Sequence, residues 1–340
     1  MYYSHFGLSG PPFQLTSSPT SLYMSKEHRE AFAALEWGLL HESSGFTVLV
    51  GEVGTGKTTL ILATLARQYQ NVRTAYLNNP KLSFDELMKV IMKQLGVKTQ
   101  RRSRLGELEA FNDFLCKLEP GARVVVIVDE AHDLSDETME QLRLLSNSGR
   151  PEEKQLHFLF VGQPELLRRL SSPALRQLDQ RVGARAVLNP LQRAECREYI
   201  ELRLEAVGGG AKQIFKPGAL RCVVQHSGGI PRRINVLCHN AMLLAYSAGA
   251  LQVNTRMVQS AVTEYDSLFS LRRTSEPVGA GATMRRWLSK ALESVALRML
   301  GWSRSLYPHE PRALDDQPAS APEALAQADA TIHKPETIAG

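Results

Sequence analysis

A glycine-rich segment at residues 51–59 constrains the fold of this chain more than any other feature. It follows an apolar run at residues 46–50, which predicts a buried strand, and it precedes residues 60–66, which predict a helix. The pattern G-x-x-x-x-G-K-T between a strand and a helix is typical of a phosphate-binding loop. A glycine-rich turn that binds nothing is the alternative. Both flanking elements favour the phosphate loop, the name we use for this segment below.

The residue types of the phosphate loop suit a nucleoside triphosphate. Glycine has no side chain to block a close approach, so backbone N–H groups and the N-terminus of the next helix can point at phosphate oxygens. Lys57 would contact the β- and γ-phosphates, and the Thr58 hydroxyl would bind Mg²⁺. The loop residues predicted to contact ATP are Gly51, Glu52, Val53, Gly54, Thr55, Gly56, Lys57, Thr58 and Thr59.

A second apolar run, at residues 124–128, ends in the two acids Asp129 and Glu130. Such a continuous run predicts a strand buried on both faces, as in a parallel sheet covered by helices. At the end of this strand Asp129 would hold Mg²⁺, directly or through water. Glu130 would orient and polarise the attacking water. The acid pair could instead cap the next helix, but the phosphate loop upstream favours ATP hydrolysis.

Two further polar residues each allow two interpretations. Gln163 follows a predicted strand at residues 156–161, so its amide could hydrogen-bond the γ-phosphate or the attacking water, or it could cap a loop. His28 lies in a predicted helix that begins after the N-cap residue Ser25. It could approach an adenine base from there. A solvated surface histidine is the more ordinary interpretation, and we expect that one.

The succession of elements divides the chain into five parts. We expect an N-terminal arm at residues 1–25 that packs across the next domain, without regular structure of its own. An α/β core at residues 26–190 and an all-helical domain at residues 191–270 follow. Residues 271–307 form a linker and a basic amphipathic helix, and residues 308–340 read as a disordered tail.

Composition narrows the class of protein. Hydrophobic residues make up 43% of the chain and charged residues 22%, which is ordinary for a globular protein. The net charge of +5 suggests an anionic partner such as nucleic acid or a membrane surface. The cluster of Arg101, Arg102 and Arg104 is more typical of a solvated loop than of a phosphate-binding patch, and contact with DNA stays open. The N-terminus has no export signal, no apolar run reaches about 18 residues, and the cysteines have no metal-binding spacing. We therefore expect a cytoplasmic protein with reduced thiols.

Residues 284–300 have the pattern of an amphipathic helix. Apolar side chains fall mostly on one helical face, while Arg285, Arg286, Lys290 and Arg298 lie largely elsewhere. The stretch is too short and too charged to span a bilayer. It fits a helix that lies on an anionic membrane surface, or a helix packed against protein, and both interpretations stay open.

The phosphate loop, followed along the chain by the acid pair Asp129-Glu130, resembles the motifs of the AAA+ ATPases. A longer ordered set resembles the general secretion pathway protein A family, over about residues 1–270. Besides the phosphate loop, the resemblance rests on Phe6-Gly7-Leu8, Pro12-Phe13, Leu22-Tyr23, His28-Arg29-Glu30-Ala31, Val128-Asp129-Glu130-Ala131-His132, Gly162-Gln163-Pro164-Glu165-Leu166 and Gly229-Ile230-Pro231-Arg232.

The resemblance implies an α/β fold of the P-loop NTPase (AAA+) type. This is an αβα sandwich with a five-stranded parallel sheet in the order 5-1-4-3-2, followed by a small all-helical lid. Gln163 would be the first sensor, and Arg232 would be the second sensor and contact nucleotide. Arg181, with Arg176 as its rival, would be the finger that reaches the γ-phosphate of a neighbouring subunit. The resemblance therefore also implies a homo-oligomer, a ring or spiral of about six subunits.

Motifs and resemblance together predict an ATPase that uses ATP and Mg²⁺. We expect it at the cytoplasmic face of the inner membrane, where it drives assembly or export in a secretion, pilus or exopolysaccharide/protein-sorting system of the cell envelope. Its partners would be the proteins of that machine. Secretion members of the family usually continue into a membrane span and a periplasmic domain. This chain has neither, so we expect a short form.

Two other functions stay open at this point. One is a DNA-binding ATPase that regulates transposition or recombination, although no helix-turn-helix or zinc module is evident. The other is a nucleotide-gated binding module with negligible turnover. Glu130 argues against the second, because a mere switch has less need of an acid that orients water.

Overall fold

The computed structural model describes residues 2–15, 22–40, 45–67, 69, 71–78, 81–99 and 103–273. Arg101 and Arg102 lie outside the described residues, and so do the predicted linker beyond residue 273, the amphipathic segment at residues 284–300 and the tail. No helix within the described ranges is both long enough and apolar enough to cross a membrane.

Five parallel strands form the central sheet. They are β1 Phe46–Gly51, β2 Val72–Leu77, β3 Arg123–Val128, β4 Leu156–Gly162 and β5 Val182–Leu188. Their order in space, β2-β3-β4-β1-β5, confirms the expected order 5-1-4-3-2. In register, Val50 of β1 lies between Gly162 of β4 and Val187 of β5. The carboxyl ends of all the strands therefore share one edge, which is where open α/β sheets bind ligands.

Helices cover both faces of the sheet because its inner strands are apolar on both faces. In β3, Val124, Val126 and Val128 pack with one layer of helices, and Val125 and Ile127 pack with the other. The helices of this part of the chain are α1 Tyr2–His5, α2 Lys26–Leu40, α3 Lys57–Leu65, α4 Phe84–Leu95, α5 Arg104–Cys116, α6 Asp136–Leu145, α7 Glu165–Leu170 and α8 Arg176–Asp179.

Local sequence and strand pairing fix the ends of several elements of this domain. Ser83 and Glu86 form a capping box at the start of α4, with the Glu86 carboxylate accepting from the Ser83 N–H at 2.8 Å. A 3₁₀ turn at Pro173–Leu175 precedes the single turn of α8. β5 pairs with β1 along the whole length of β1.

Beyond β5 the described chain is almost entirely helical. Its helices are α9 Arg193–Glu205, α10 Ala211–Ile214, α11 Pro217–Ser227, α12 Pro231–Ser247 and α13 Thr255–Arg273. We call α9–α13 the helical bundle. It has a separate apolar core, which includes Ile200, Phe215 and Val223. α11 ends at Gly228, whose left-handed backbone (φ 60°) suits a glycine at a helix C-terminus, and α12 begins at Pro231.

The N-terminal arm corrects two expectations. Residues 2–5 form the short helix α1, whereas we expected no regular element. Leu8 and Phe13 are buried in the core of the helical bundle, not across the sheet, and the Phe13 and Phe215 rings lie 6.3 Å apart edge to face. Of the arm residues that the structure describes, Leu22 and Met24 near its end pack on the sheet domain. Apolar spacing shows that a segment packs somewhere, but it does not show against which core.

Candidate functional site

The phosphate loop leaves the carboxyl end of β1 and enters α3 at Lys57, as the sequence predicts. Gly54 and Gly56 both have left-handed backbones, with φ of 86° and 106°. A Cβ on Gly54 would lie 2.6 Å from the Arg232 Cβ, and a Cβ on Gly56 would lie 3.1 Å from the His28 Nε2. These two positions therefore require glycine both for backbone conformation and for space.

Lys57 is 7% exposed, and its side chain contacts the backbone of the phosphate loop. Its ammonium donates to the Gly51 carbonyl at 2.7 Å and to the Glu52 carbonyl at 3.1 Å. Burial lowers the pKa of Lys57, and the nearby carboxylates of Glu130 and Asp129 act against that shift. The cation therefore lies at the carboxyl edge of the sheet, within the field of both acids that follow β3.

Asp129 is held by three donors. One carboxylate oxygen accepts the Thr58 hydroxyl at 3.2 Å and the Tyr76 hydroxyl at 2.6 Å, and the other accepts the Glu130 N–H at 2.9 Å. Burial, followed by the hydrogen bond to Asp129, raises the pKa of Tyr76. Tyr76 was not predicted from the sequence, although it lies one residue before the end of β2, which pairs with β3.

Glu130 has a strained backbone and a half-exposed side chain. Its φ of 52° is the one positive value among the described residues other than glycine. Its carboxylate lies 3.4 Å from the His132 Nδ1, and the His132 Nε2 lies 2.9 Å from the Gln163 amide nitrogen. His132 thus lies between the two residues: it is within hydrogen-bond distance of Gln163, while its Nδ1 makes no hydrogen bond to Glu130, and its position was not predicted from the sequence.

The helical bundle and the arm close the site from the other side. The Arg232 N–H donates to the Gly54 carbonyl at 3.2 Å, while the Arg232 side chain is exposed. A cleft lies between the phosphate loop, the bundle and the arm. Besides the loop itself, its lining includes Gln14, Tyr23, Glu130, Tyr199, Arg203 and Asn235. The structure therefore brings Arg232 to the phosphate loop through its backbone.

Arg181 is placed away from the phosphate loop of its own chain. It immediately precedes β5, whose first residue pairs with Phe46 at the start of β1. The loop follows the opposite end of β1, about 15 Å along the strand. The Arg181 guanidinium donates to the Asn147 side chain at 2.6 Å and to the Ser146 hydroxyl at 3.2 Å. Its rival Arg176 is exposed.

His28 is not the surface residue that we expected. It is 2% exposed and lies beside the phosphate loop, with its Nε2 3.1 Å from the Thr55 carbonyl and its Nδ1 2.7 Å from the Ser25 hydroxyl. Burial lowers the pKa of His28. The expectation was wrong because helical spacing alone cannot show that α2 presses this face against the loop.

Comparisons with known proteins agree with this geometry. A family model described as "AAA domain" matches residues 40–170. General secretion pathway protein A of Aeromonas hydrophila is 41% identical over 255 residues, which are 74% of this chain and 46% of that protein. The chain thus spans less than half the length of this relative.

Solved structures agree on the fold. The ORC2 protein of Aeropyrum pernix in its ADP form superposes with a TM-score of 0.55 at 23% identity, covering 74% of this chain and 72% of that one. Cdc6p of Pyrobaculum aerophilum gives a TM-score of 0.58 at 17% identity, covering 77% and 70%. At these identities the likeness shows the fold alone. The sequence matches show an AAA domain at residues 40–170 and a relation of this chain to general secretion pathway protein A.

Proposed function

We propose that this chain binds ATP and Mg²⁺ in the cleft at the phosphate loop and hydrolyses the γ-phosphate bond. The observation that carries the proposal is the convergence of Lys57, Thr58, Asp129 and Glu130 at the carboxyl edge of the sheet. In this arrangement Lys57 contacts the β- and γ-phosphates. The N–H groups of the loop bind phosphate oxygens.

The proposed Mg²⁺ site rests on the oxygen ligands that Thr58 and Asp129 supply. The Thr58 hydroxyl and the Asp129 carboxylate lie 3.2 Å apart, and Mg²⁺ prefers hard oxygen ligands of this kind. These two residues would hold the ion, with phosphate oxygens and water as its other ligands. When bound, Mg²⁺ neutralises charge that develops on the phosphates.

Glu130 is the residue that we propose orients and polarises the attacking water. Its carboxylate is half exposed to the cleft, and His132 lies between it and Gln163. Gln163, at the carboxyl end of β4, would sense the γ-phosphate through its own amide. A single water molecule held by Glu130 would then attack the terminal phosphorus and release ADP and phosphate.

Two arginines would complete the site. Arg232 lies in the first turn of α12, where its N–H contacts Gly54, and its exposed side chain would contact nucleotide. Arg181 lies beyond the far edge of the sheet, which supports a role toward the site of a neighbouring subunit and hence a homo-oligomer. In other nucleotide hydrolases such a finger changes the rate by about 10³–10⁵.

The experiment that tests the ATPase is Glu130→Gln. The amide keeps the shape of the side chain but cannot act as a base, so ATP binding should persist while most turnover is lost. A colorimetric phosphate assay and ATP titration measure the two separately. Hydrolysis at the parent rate would remove Glu130 from the mechanism.

For the cellular role, we infer that the chain drives assembly or export in a cell-envelope machine. The identity of 41% to general secretion pathway protein A supports this, although the match covers 46% of that protein. The second candidate is a DNA-dependent ATPase, which the net charge of +5 permits. ATPase rates measured alone, with double-stranded DNA and with anionic liposomes separate the two. Stimulation by DNA would overturn the envelope role.

A further inference from the structure

His28 is a buried, titratable side chain that the ATPase mechanism above does not use. It lies in the first two turns of α2, and both ring nitrogens have partners. The Thr55 carbonyl can only accept a hydrogen bond, so the His28 Nε2 must carry the proton. In the neutral ring the Nδ1 then accepts from the Ser25 hydroxyl, 2.7 Å away. The two contacts therefore fix one tautomer and one ring orientation.

The carbonyl that His28 holds belongs to the peptide between Thr55 and Gly56. In a planar trans peptide the C=O and the next N–H point in opposite directions. A donor that holds the Thr55 carbonyl on one side therefore turns the Gly56 N–H to the other side. Among the residues that the structure describes, no acceptor contacts this N–H. Gly56 has a left-handed backbone, and a Cβ at this position would lie 3.1 Å from the His28 Nε2. His28 therefore packs closely against the peptide that it orients.

We propose that His28 is a positioning residue for nucleotide binding, which aims the Gly56 N–H at a phosphate group by holding the Thr55 carbonyl. This deepens the function proposed above and rests on it. His28 does not touch the reacting atoms and moves no proton. Its effect is on the ground state, because the Gly56 N–H contacts phosphate before and during hydrolysis alike.

The test compares two substitutions of similar length and volume, one with N–H donors and one without. His28→Gln places an amide N–H within reach of the Thr55 carbonyl, whereas His28→Met has none. We expect His28→Met to weaken ADP binding about tenfold or more, the loss expected for one hydrogen bond to a charged group. His28→Gln should stay within about threefold of the parent. In ATPase assays His28→Met should raise KM and leave kcat nearly unchanged.

A matched control separates positioning from general loss of packing. His157 is equally buried, and its Nε2 lies 3.0 Å from the Thr47 hydroxyl, near the opposite end of β1 from the phosphate loop. His157→Met should lower the thermal midpoint, as His28→Met does, but leave the Kd for ADP unchanged. Equal loss of ADP affinity in His157→Met, or in His28→Gln and His28→Met alike, would overturn the proposal.

One measurement needs no variant. The ¹⁵N chemical shifts of the His28 ring in the unmodified protein report its tautomer, and the proposal requires the proton on Nε2. A proton on Nδ1 would overturn it even if His28→Met did not fold. If the unmodified protein itself binds no ADP, the proposed ATPase function fails. If it binds ADP and His28→Met binds equally well, only the role of His28 fails.

Discussion

Tyr76→Phe is the sharpest test of how the acid after β3 is held. The substitution deletes only the hydroxyl that donates to Asp129 at 2.6 Å. A hydrogen bond to a charged group contributes about 1.5–3 kcal/mol, and Tyr76 is only partly buried, so water can replace part of the contact. We therefore expect the free energy of unfolding to fall by about 1.5 kcal/mol.

Tyr76→Phe should also lower catalysis in the folded protein, in addition to its effect on stability. Partners that orient a metal-binding carboxylate typically change affinity or activity by about 10–100-fold when they are removed. Without the Tyr76 hydroxyl, the donors to Asp129 among the described residues are the Thr58 hydroxyl and the Glu130 N–H. We expect kcat to fall about tenfold and the Mg²⁺ concentration for half-maximal nucleotide affinity to rise.

Tyr69→Phe is the matched control. The Tyr69 hydroxyl donates to the Glu36 carboxylate at 2.7 Å, and Tyr69 does not line the cleft at the phosphate loop. Its removal should lower stability by a similar amount and leave ATPase activity at the parent level. Urea unfolding and steady-state ATPase assays on both variants give the comparison. Parent-level activity in folded Tyr76→Phe, or equal loss in Tyr69→Phe, would refute the reasoning.

The direction in which the stability difference between the parent and Tyr69→Phe changes with pH can also be predicted. Burial, followed by the hydrogen bond to Glu36, raises the pKa of Tyr69 from 10.0 to about 12. A raised pKa contributes stability that is fully present below the unfolded value and is lost as pH rises through the folded value. The stability difference between the parent and Tyr69→Phe should therefore be constant from about pH 6 to 9 and shrink between pH 10 and about 12.

Three further predictions concern Lys57, the proposed arginine finger Arg181 and the residues after Arg273. Lys57→Ala should abolish ATP binding, measured by calorimetry, because the β- and γ-phosphates lose their cation; tight binding would contradict the placement of the loop. Arg181→Ala should bind ATP but hydrolyse it poorly, and mixing it with Glu130→Gln should partly restore activity. No rescue in co-assembled subunits would point to Arg176 or to action within one subunit. Truncation after Arg273 should keep basal ATPase activity but abolish co-sedimentation with anionic liposomes, because it removes the basic segment at residues 284–300. If the full chain ignores such liposomes at low salt, that segment belongs to a protein interface.

The sheet and the phosphate loop were predictable because their signals are local. The apolar runs at residues 46–50 and 124–128 identify inner strands without reference to any partner. The glycine-rich motif also predicts its flanking elements, a strand before it and a helix after it. The strand order came from the resemblance to the AAA+ ATPases, since the residues alone predict strands and not their neighbours.

The residues that sequence analysis missed act through partners distant in the chain. Tyr76 lies one position before the end of β2, and only the pairing of Leu77 with Val128 brings it beside Asp129. His132 follows the acid pair, yet its contact with Gln163 depends on the adjacency of β3 and β4. The resemblance implied which strands are neighbours, but a single sequence does not state which side chains at the ends of those strands contact each other.

The phosphate loop shows what those distant partners achieve. Every buried backbone carbonyl needs a donor, and a loop that binds an anion must keep its own carbonyls away from the bound charge. Here donors from outside the loop, from its last turn or from the first turns of α3 hold the carbonyls of Gly51, Glu52, Gly54, Thr55 and Gly56. The Gly54 carbonyl is held by the bundle residue Arg232, and the Thr55 carbonyl by His28 of α2. The motif thus specifies a loop that can bind phosphate, while elements far from it in sequence fix the direction in which its peptides point.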